Sequence, residues 1–507
     1  MAHAPLEVSS TNLLSAGIYN YYAHIGERKD MKKLIVTILL ISMLALIAMP
    51  PTRSVASSSA PNLKYSVLSV QEQFIEERSG EPLPLDPGYY LGYDIDIVNA
   101  EYFADGGEGV YIAVLDTGLV NGWENFLPPT ADIRTDLGRG WSYDVVWDGT
   151  EFVWTENPSR GIITKDVGSG HGTHVTSTIV GYQRSTIGVT PHIVLGVAPK
   201  ATIIPLLGLD YWLVDYPGPG NKGGKAFFGG GDDWMLTSAI YYVAELAETY
   251  NPMICTNSWG SSEPSPAIRE AIDYAITKGV IFVFSAGNDG TAGMGWPGAY
   301  PEVISTAAGG WTMQYLGYPP SDPPGPPYRW YLSDVPEKLN TWNNPIEQLF
   351  GAPDNYYDNN WQIYLATFSG RPNADLGQSW KDLDVCAPGC YVVGPYQPEA
   401  YWNGATWVTY TTAYYGLWGT SMSSPHVAGV AAIVAQHYPS FTQTVMESVL
   451  KKAAGRIPLS SNTKWLYDQF YGVEFPNNDH DAGTGWLTAD NAMWVAAHRA
   501  RADETAK

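Results

Sequence analysis

The sequence predicts an α/β fold with a doubly wound, mainly parallel central sheet and helices on both faces. Two observations carry this. Four short apolar runs, "VYIAVLD" (110–116), "ATIIPLL" (201–207), "MICTNS" (253–258) and "VIFVFSAG" (280–287), are rich in β-formers and lack the alternation of a half-exposed strand. Such runs are buried strands of a parallel sheet. Between them lie helical patterns, "WMLTSAIYYVAELAETY" (234–250) and "SPAIREAIDYAITKG" (265–279), the second closing on Lys278 and Gly279, a common helix stop. Alternating β and α elements place helices on both faces of a sheet. Ligands of such sheets sit at the carboxyl ends of the strands.

The alternation runs from about residue 89 to 494, read as one domain within 507 residues. Residues 311–361 interrupt it. They are rich in Pro, Tyr, Trp and Asn and read as a long surface insertion whose aromatics pack onto the body. Residues 57–88 are a short polar, Pro-containing N-terminal segment, and 495–507 a C-terminal tail. The stretch "MKKLIVTILLISMLALIAMPPTRSVASSSA" (31–60) has two lysines before an apolar run, then small residues spaced for cleavage after Ala56. That is a secretory signal over 31–56, and membrane attachment is expected only if it stays uncleaved. Residues 22–30, "YAHIGERKD", have no n-region character, so translation is expected to begin at Met31, with 1–30 a mis-called extension.

Composition narrows the function classes. The net charge is −23, from 51 acids against 28 bases, which excludes a nucleic-acid partner that needs clustered Lys and Arg. Only 16% of residues are charged, while there are 19 Trp and 34 Tyr; this suits an extracellular protein. Of the three cysteines, Cys386 and Cys390 flank Ala-Pro-Gly and either close a small disulfide loop or remain, with Cys255, buried thiols.

Four places can carry chemistry. Asp116 ends the first apolar run in "AVLDTG", where a buried carboxylate needs a partner. An aspartic peptidase would need two such carboxylates sharing a proton, yet the chain has no second Asp-[Ser/Thr]-Gly. "GSGHGTHVTSTIVG" (168–181) brings His171 and His174 to a helix start. Their spacing suits a metal pair, but H-E-x-x-H is absent, and a general base at a rigid helix start fits better. "LWGTSMSSPHVAGVAAIVAQHYP" (417–439) carries Ser421 at the start of an Ala/Val-rich helix, with Pro425 tolerable only in its first turn. There the helix dipole favours developing oxyanion charge, although a capping serine would look the same. "VFSAGNDGTAG" (283–293) puts Asn288 in a glycine-rich turn beyond a strand, as a turn residue or an oxyanion donor.

Taken together, "AVLDTG", "GHGTHV", "NSWG", "SAGNDG", "DVCAPG" and "GTSMSSPHVAGVAA" resemble the subtilisin-like serine peptidases, in that family's order of Asp, His and Ser. The resemblance spans about 89–494 and implies a subtilisin-like fold and a secreted serine endopeptidase acting on protein or peptide substrates. It implies that Asp116 orients His171, His171 takes the proton of Ser421, and Asn288 with the Ser421 backbone N–H binds the oxyanion. That mechanism needs a neutral His171, so activity is expected to fall in acid. His174 and His426 are read as structural. Ser258, Trp259 and Gly260 would pair with extended substrate, with Gly230 on the opposite edge. Gly287 and Gly295 would leave room for a large apolar or aromatic residue before the cleaved bond.

The chain departs from the family in places. Ser423 stands where Ala is usual, and the segment before the body is shorter than the customary pro-segment. No cofactor is expected for catalysis. Structural calcium is common in the family, and "NNDHDAG" (477–483) offers Asn477, Asp479 and Asp481 at alternate positions, either as a cation loop or as a solvated acidic one. Two other readings stay open: a secreted binding or envelope-associated protein that kept the fold and lost turnover, and an aspartic peptidase.

Overall fold

A computed structural model of the chain describes residues 56–505, apart from 58–59, 68–70, 75–88, 91, 104, 185–191, 218–222, 312–362, 458, 460–465, 469–472 and 476–480. The signal and most of the insertion therefore lie outside the described residues. Six strands form the centre: β1 (Tyr111–Asp116), β2 (Thr202–Leu207), β3 (Met253–Asn257), β4 (Val280–Ser285), β5 (Ile304–Trp311) and β6 (Val385–Pro388). Their order is β2-β1-β3-β4-β5-β6, and every neighbouring pair is parallel. Further strands, one joined in parallel and the others antiparallel, extend this core on both sides. Arg139–Trp147 joins β2 and pairs with Phe152–Arg160, while Ile363–Leu365 pairs with β5. The sheet is thus mainly parallel, as the apolar runs predict.

Six helices cover it: α1 (His171–Val180), α2 (Asp233–Ala247), α3 (Pro266–Thr277), α4 (Thr420–His437), α5 (Gln443–Ala454) and α6 (Ala489–Thr505). The period-2 geometry of each strand divides its side chains between two cores. Ile112 and Val114 of β1 pack in one core with α1, α4, α5 and α6. Ala113 and Leu115 face the other, with α2 and α3. A strand buried on both faces has no polar side, which is why β1 reads as a continuous apolar run. The α2 start is set by Asp232, whose carboxylate accepts from Met235 N. The α3 start is set by Ser265 as cap and Pro266 in the first turn.

One expectation changes, and one open choice is decided in favour of buried thiols. The residues read as a tail from 495 continue α6, and Val495 and Ala496 are buried in the main core. The Cys386–Cys390 loop disulfide is not formed: all three cysteines are free and buried. Cys386 packs in the main core, whereas Cys390 packs with Tyr364, Tyr391 and Trp418 in a separate cluster. Burial pushes the Cys255 and Cys390 thiols up to about 12, as in inert core thiols.

Candidate active site

Strand β1 lies between β2 and β3, the point where chain order switches sides, and its carboxyl end carries Asp116. His171 opens α1 and its Nδ1 lies 2.9 and 3.0 Å from the two Asp116 carboxylate oxygens. Neighbouring backbone holds this pair in place. Thr117 N donates to Asp116 Oδ1 at 2.7 Å, Thr117 Oγ1 accepts from Gly172 N at 2.9 Å, and Val120 N donates to Thr173 Oγ1 at 2.8 Å. These bonds tie the helix start to the strand end. They also explain Gly172, where a Cβ would come within 2.4 Å of Gly118 O. The aspartic-peptidase reading falls here, because the Asp116 carboxylate is engaged by an imidazole.

Ser421 lies in the first turn of α4. Its Oγ donates to Ser258 O at 2.9 Å, and Ser258 Oγ donates to Ser421 O at 2.8 Å. His171 Nε2 is buried and has no hydrogen-bond partner among the described residues. An unpartnered basic nitrogen in a dry site can take a proton from a hydroxyl that turns toward it. Asp116, His171 and Ser421 all have zero exposure.

Asn288 follows β4. Its Oδ1 accepts from both Thr420 N, at 2.9 Å, and Thr420 Oγ1, at 3.0 Å. With the amide oxygen so engaged, the NH₂ group is directed elsewhere, and Thr420 therefore sets which way the amide donates. Gly287 and Gly295 pack against each other: a Cβ on Gly287 would lie 2.7 Å from Gly295 N, and one on Gly295 would meet Gly287 Cα at 3.6 Å.

The chain itself occupies the expected substrate strands. Ser66 and Val67 pair antiparallel with Gly260 and Trp259. Tyr65 exchanges two backbone bonds with Gly231, at 3.1 and 3.0 Å. A Cβ on Gly230 would lie 2.5 Å from Tyr65 O, so glycine admits a backbone there. Farther along, Gln71–Phe74 pairs antiparallel with Tyr415–Trp418, the strand leading into Ser421. The sequence reading missed this segment, as it missed Thr117 and Thr420. One signal was available: Leu63, Tyr65 and Val67 alternate with Lys64 and Ser66, the period of a strand.

His174 and His426 are structural, as expected. His174 Nε2 lies 3.1 Å from Val392 O, and His426 is held between Met422 O and the Asp94 carboxylate. Burial, and then the nearby His171, push His174 down to about 3. The loop expected to hold calcium falls mostly outside the described residues. Asn477 and Asp479 lie outside the described residues, and Asp481 faces Arg371 Nε at 3.9 Å, where a guanidinium already supplies positive charge. Among the described residues no three His, Cys, Asp or Glu converge on a metal position.

A parallel sheet with an aspartate-bound histidine at the carboxyl end of its central strand defines the class, a serine-type peptidase of α/β architecture. The model of the Subtilase family matches residues 107–485, and the chain belongs to that family. The chain is similar to Subtilisin BL from Lederbergia lenta, 28% identical over 350 residues, covering 69% of this chain and 84% of that protein. It is equally similar to M-protease from Shouchella clausii (strain KSM-K16), 28% identical over 348 residues, of whose length it spans 60%. The solved structure of sphericase aligns over 78% of this chain and 97% of its own, with 24% identity and a TM-score of 0.45.

Proposed function

We propose that the chain is a secreted serine endopeptidase in which Asp116, His171 and Ser421 form the catalytic triad. The observation that carries the reading is the state of His171: Nδ1 fixed by Asp116, Nε2 buried and without a partner among the described residues. Ser421 Oγ attacks the scissile carbonyl while its proton passes to His171 Nε2. Asp116 keeps the proton on Nδ1 and stabilises the imidazolium. The tetrahedral oxyanion accepts from Asn288 Nδ2–H and the Ser421 backbone N–H, at the positive end of α4. Collapse expels the amine, which takes the proton from His171 and leaves an ester on Ser421 Oγ. Water, deprotonated by the same imidazole, hydrolyses the ester and restores the serine. No cofactor enters any step.

Extended substrate would pair with Trp259–Gly260 on one side and Gly230–Gly231 on the other, in the place taken by residues 65–67. Backbone pairing supports breadth of specificity. The family resemblance of Gly287 and Gly295, which carry no side chains into the site, supports a large apolar or aromatic residue before the cleaved bond. The lysine-led apolar stretch of 31–56 supports export.

Fluorophosphonate labelling with peptide mass mapping tests the reading. A single adduct on Ser421, lost in His171→Ala, is the expected result. A folded protein that takes no label, even after removal of its N-terminal segment, would instead be a binding protein on a peptidase fold.

A further inference from the structure

The turn "GNDGTAGMG" (287–295) carries Asn288 and both pocket glycines, yet four of its nine residues are glycine. Glycines bring no side chain to pack and leave a turn free to move. What holds this turn is a second segment, residues 368–378. Gly370 N donates to Gly287 O at 2.7 Å, Gly290 N to Phe368 O at 2.8 Å, and Arg371 N to Gly290 O at 2.9 Å. Asn373 Nδ2 donates to Ala292 O at 3.0 Å. A Cβ on Gly370 would lie 2.4 Å from Ala286 O, so the two backbones touch.

Gln378 completes this strap with a side chain, and the residue is 5% exposed. Its Oε1 accepts from Met294 N at 2.9 Å and from Asn373 N at 3.1 Å, while its Nε2 donates to Met294 O at 2.8 Å. The amide thus gives Met294 both bonds that a neighbouring strand would give. The reversed orientation would set its NH₂ group against two N–H donors. Met294 leads into Gly295, whose N donates to Ala286 O at 2.8 Å. Asn288 has a separate anchor in Thr420.

The ends of the turn show what it bounds. Gly287 N donates to Thr420 Oγ1 at 3.1 Å, one residue before Ser421. At the other end Trp296 exchanges two backbone bonds of 2.9 Å with Ser261, which follows Trp259–Gly260. Residues 287–296 therefore run from the nucleophile to the strand that would pair with substrate, beside the residue that precedes the cleaved bond. We propose that Gln378 is a positioning residue that sets the shape of this pocket by fixing Met294 and, through it, Gly295. This rests on the endopeptidase reading above. Without the amide, buried backbone groups of Met294 lose their partners and the turn shifts to find others. A large side chain that fills the pocket is sensitive to such a shift, whereas a methyl group is not.

The test compares acetyl-Ala-Ala-Val-X-aminomethylcoumarin peptides with X as Phe or Ala, on the full chain before and after removal of its N-terminal segment. Ser421 labelling counts active sites in each preparation. The unaltered chain is expected to prefer Phe. Gln378→Leu is expected to lower the Phe/Ala ratio of kcat/KM about tenfold, with the Ala peptide changed about twofold or less. Gln378→Glu keeps the accepted bonds, loses the donated one, and is expected to fall in between. A purely structural role would instead lower the count of active sites, or slow both peptides alike. Either result, or an unchanged ratio in Gln378→Leu, would overturn the proposal and leave the peptidase reading intact. If Gln378→Leu does not label, Gln378→Glu decides by the same ratio, and loss of labelling there too would assign the residue to the fold and not to the pocket. An unaltered chain that labels without preferring Phe would overturn the pocket itself. If that chain neither labels nor cleaves, the peptidase reading fails and the proposal with it.

Discussion

In the proposed mechanism the Thr420 hydroxyl governs chemistry it does not perform. Its Oγ1 and backbone N hold Asn288 Oδ1 and thereby turn the amide hydrogens away from it. Thr420→Val keeps the backbone bond and loses the other. The kcat is expected to fall about tenfold with little change in KM, because misdirection affects the transition state more than binding. Thr420→Ser is expected to restore it. Asn288→Ala removes the proposed donor and should lower kcat by about 10²–10³, the range that loss of an oxyanion-hole donor gives in subtilisin. Steady-state kinetics on one peptide measures all three, and an unchanged kcat in Asn288→Ala would remove Asn288 from the oxyanion site.

Between elements, the junction of β6 and α5 rests on an ion pair. Asp384, just before β6, accepts from Ser305 N at 2.7 Å and meets Lys451 Nζ of α5 at 2.6 Å. Burial pushes the Asp384 carboxyl up to about 7, and Lys451 opposes this. The folded state therefore holds this proton better than the unfolded one, so the carboxyl's contribution to stability is lost as pH rises from about 4 through 7. Lys451→Ala strands the carboxylate, with Glu447 as the remaining neighbour. It is expected to lower stability by about 2 kcal/mol at pH 8 and by less at pH 5, where the carboxyl can protonate. Urea titrations at the two pH values would show it. An equal loss at both would mean that Asp384 does not titrate in this range.

Over the whole molecule, two features depend on how distant parts of the chain meet. His174 is buried and neutral, its Nε2–H donating to Val392 O at 3.1 Å, and its folded state resists protonation down to about 3 against an ordinary value of 6.5. Below pH 6.5 the unfolded chain takes up a proton that the native one refuses, so stability falls with acid by up to about 1.4 kcal/mol per pH unit from this group. His174→Gln is expected to flatten that slope between pH 6.5 and 4 in denaturation experiments. The second feature is the N-terminal segment. Its pairs with Gly231, Trp259–Gly260 and Tyr415–Trp418 flank a serine of zero exposure. Fluorophosphonate labelling of Ser421 is expected to accelerate once residues before 89 are removed by limited proteolysis. Equal rates before and after would show that the segment does not restrict the site.

Much of this was legible in the chain. Four of the six central strands could be read because each is a short continuous apolar run buried on both faces, and the helices between them because their apolar residues recur with a helical period. Asp116, His171, Asn288 and Ser421 could be singled out because each follows a strand or opens a helix within a distinctive glycine-rich motif. Folding then decided what local pattern cannot express. It gave Asp116 an imidazole partner rather than a second carboxylate, across 55 residues of chain. It sent Cys386 and Cys390 into different clusters, although they lie four apart. It carried α6 past the point where the tail was expected to begin, because Val495 and Ala496 had a core to enter. It also set Tyr65 against Asp233, 168 residues away. Side-chain period and caps are properties of neighbours, so the sequence displays them. Pairings that close long loops are chosen by the packing of the whole, and only the tertiary structure reveals them.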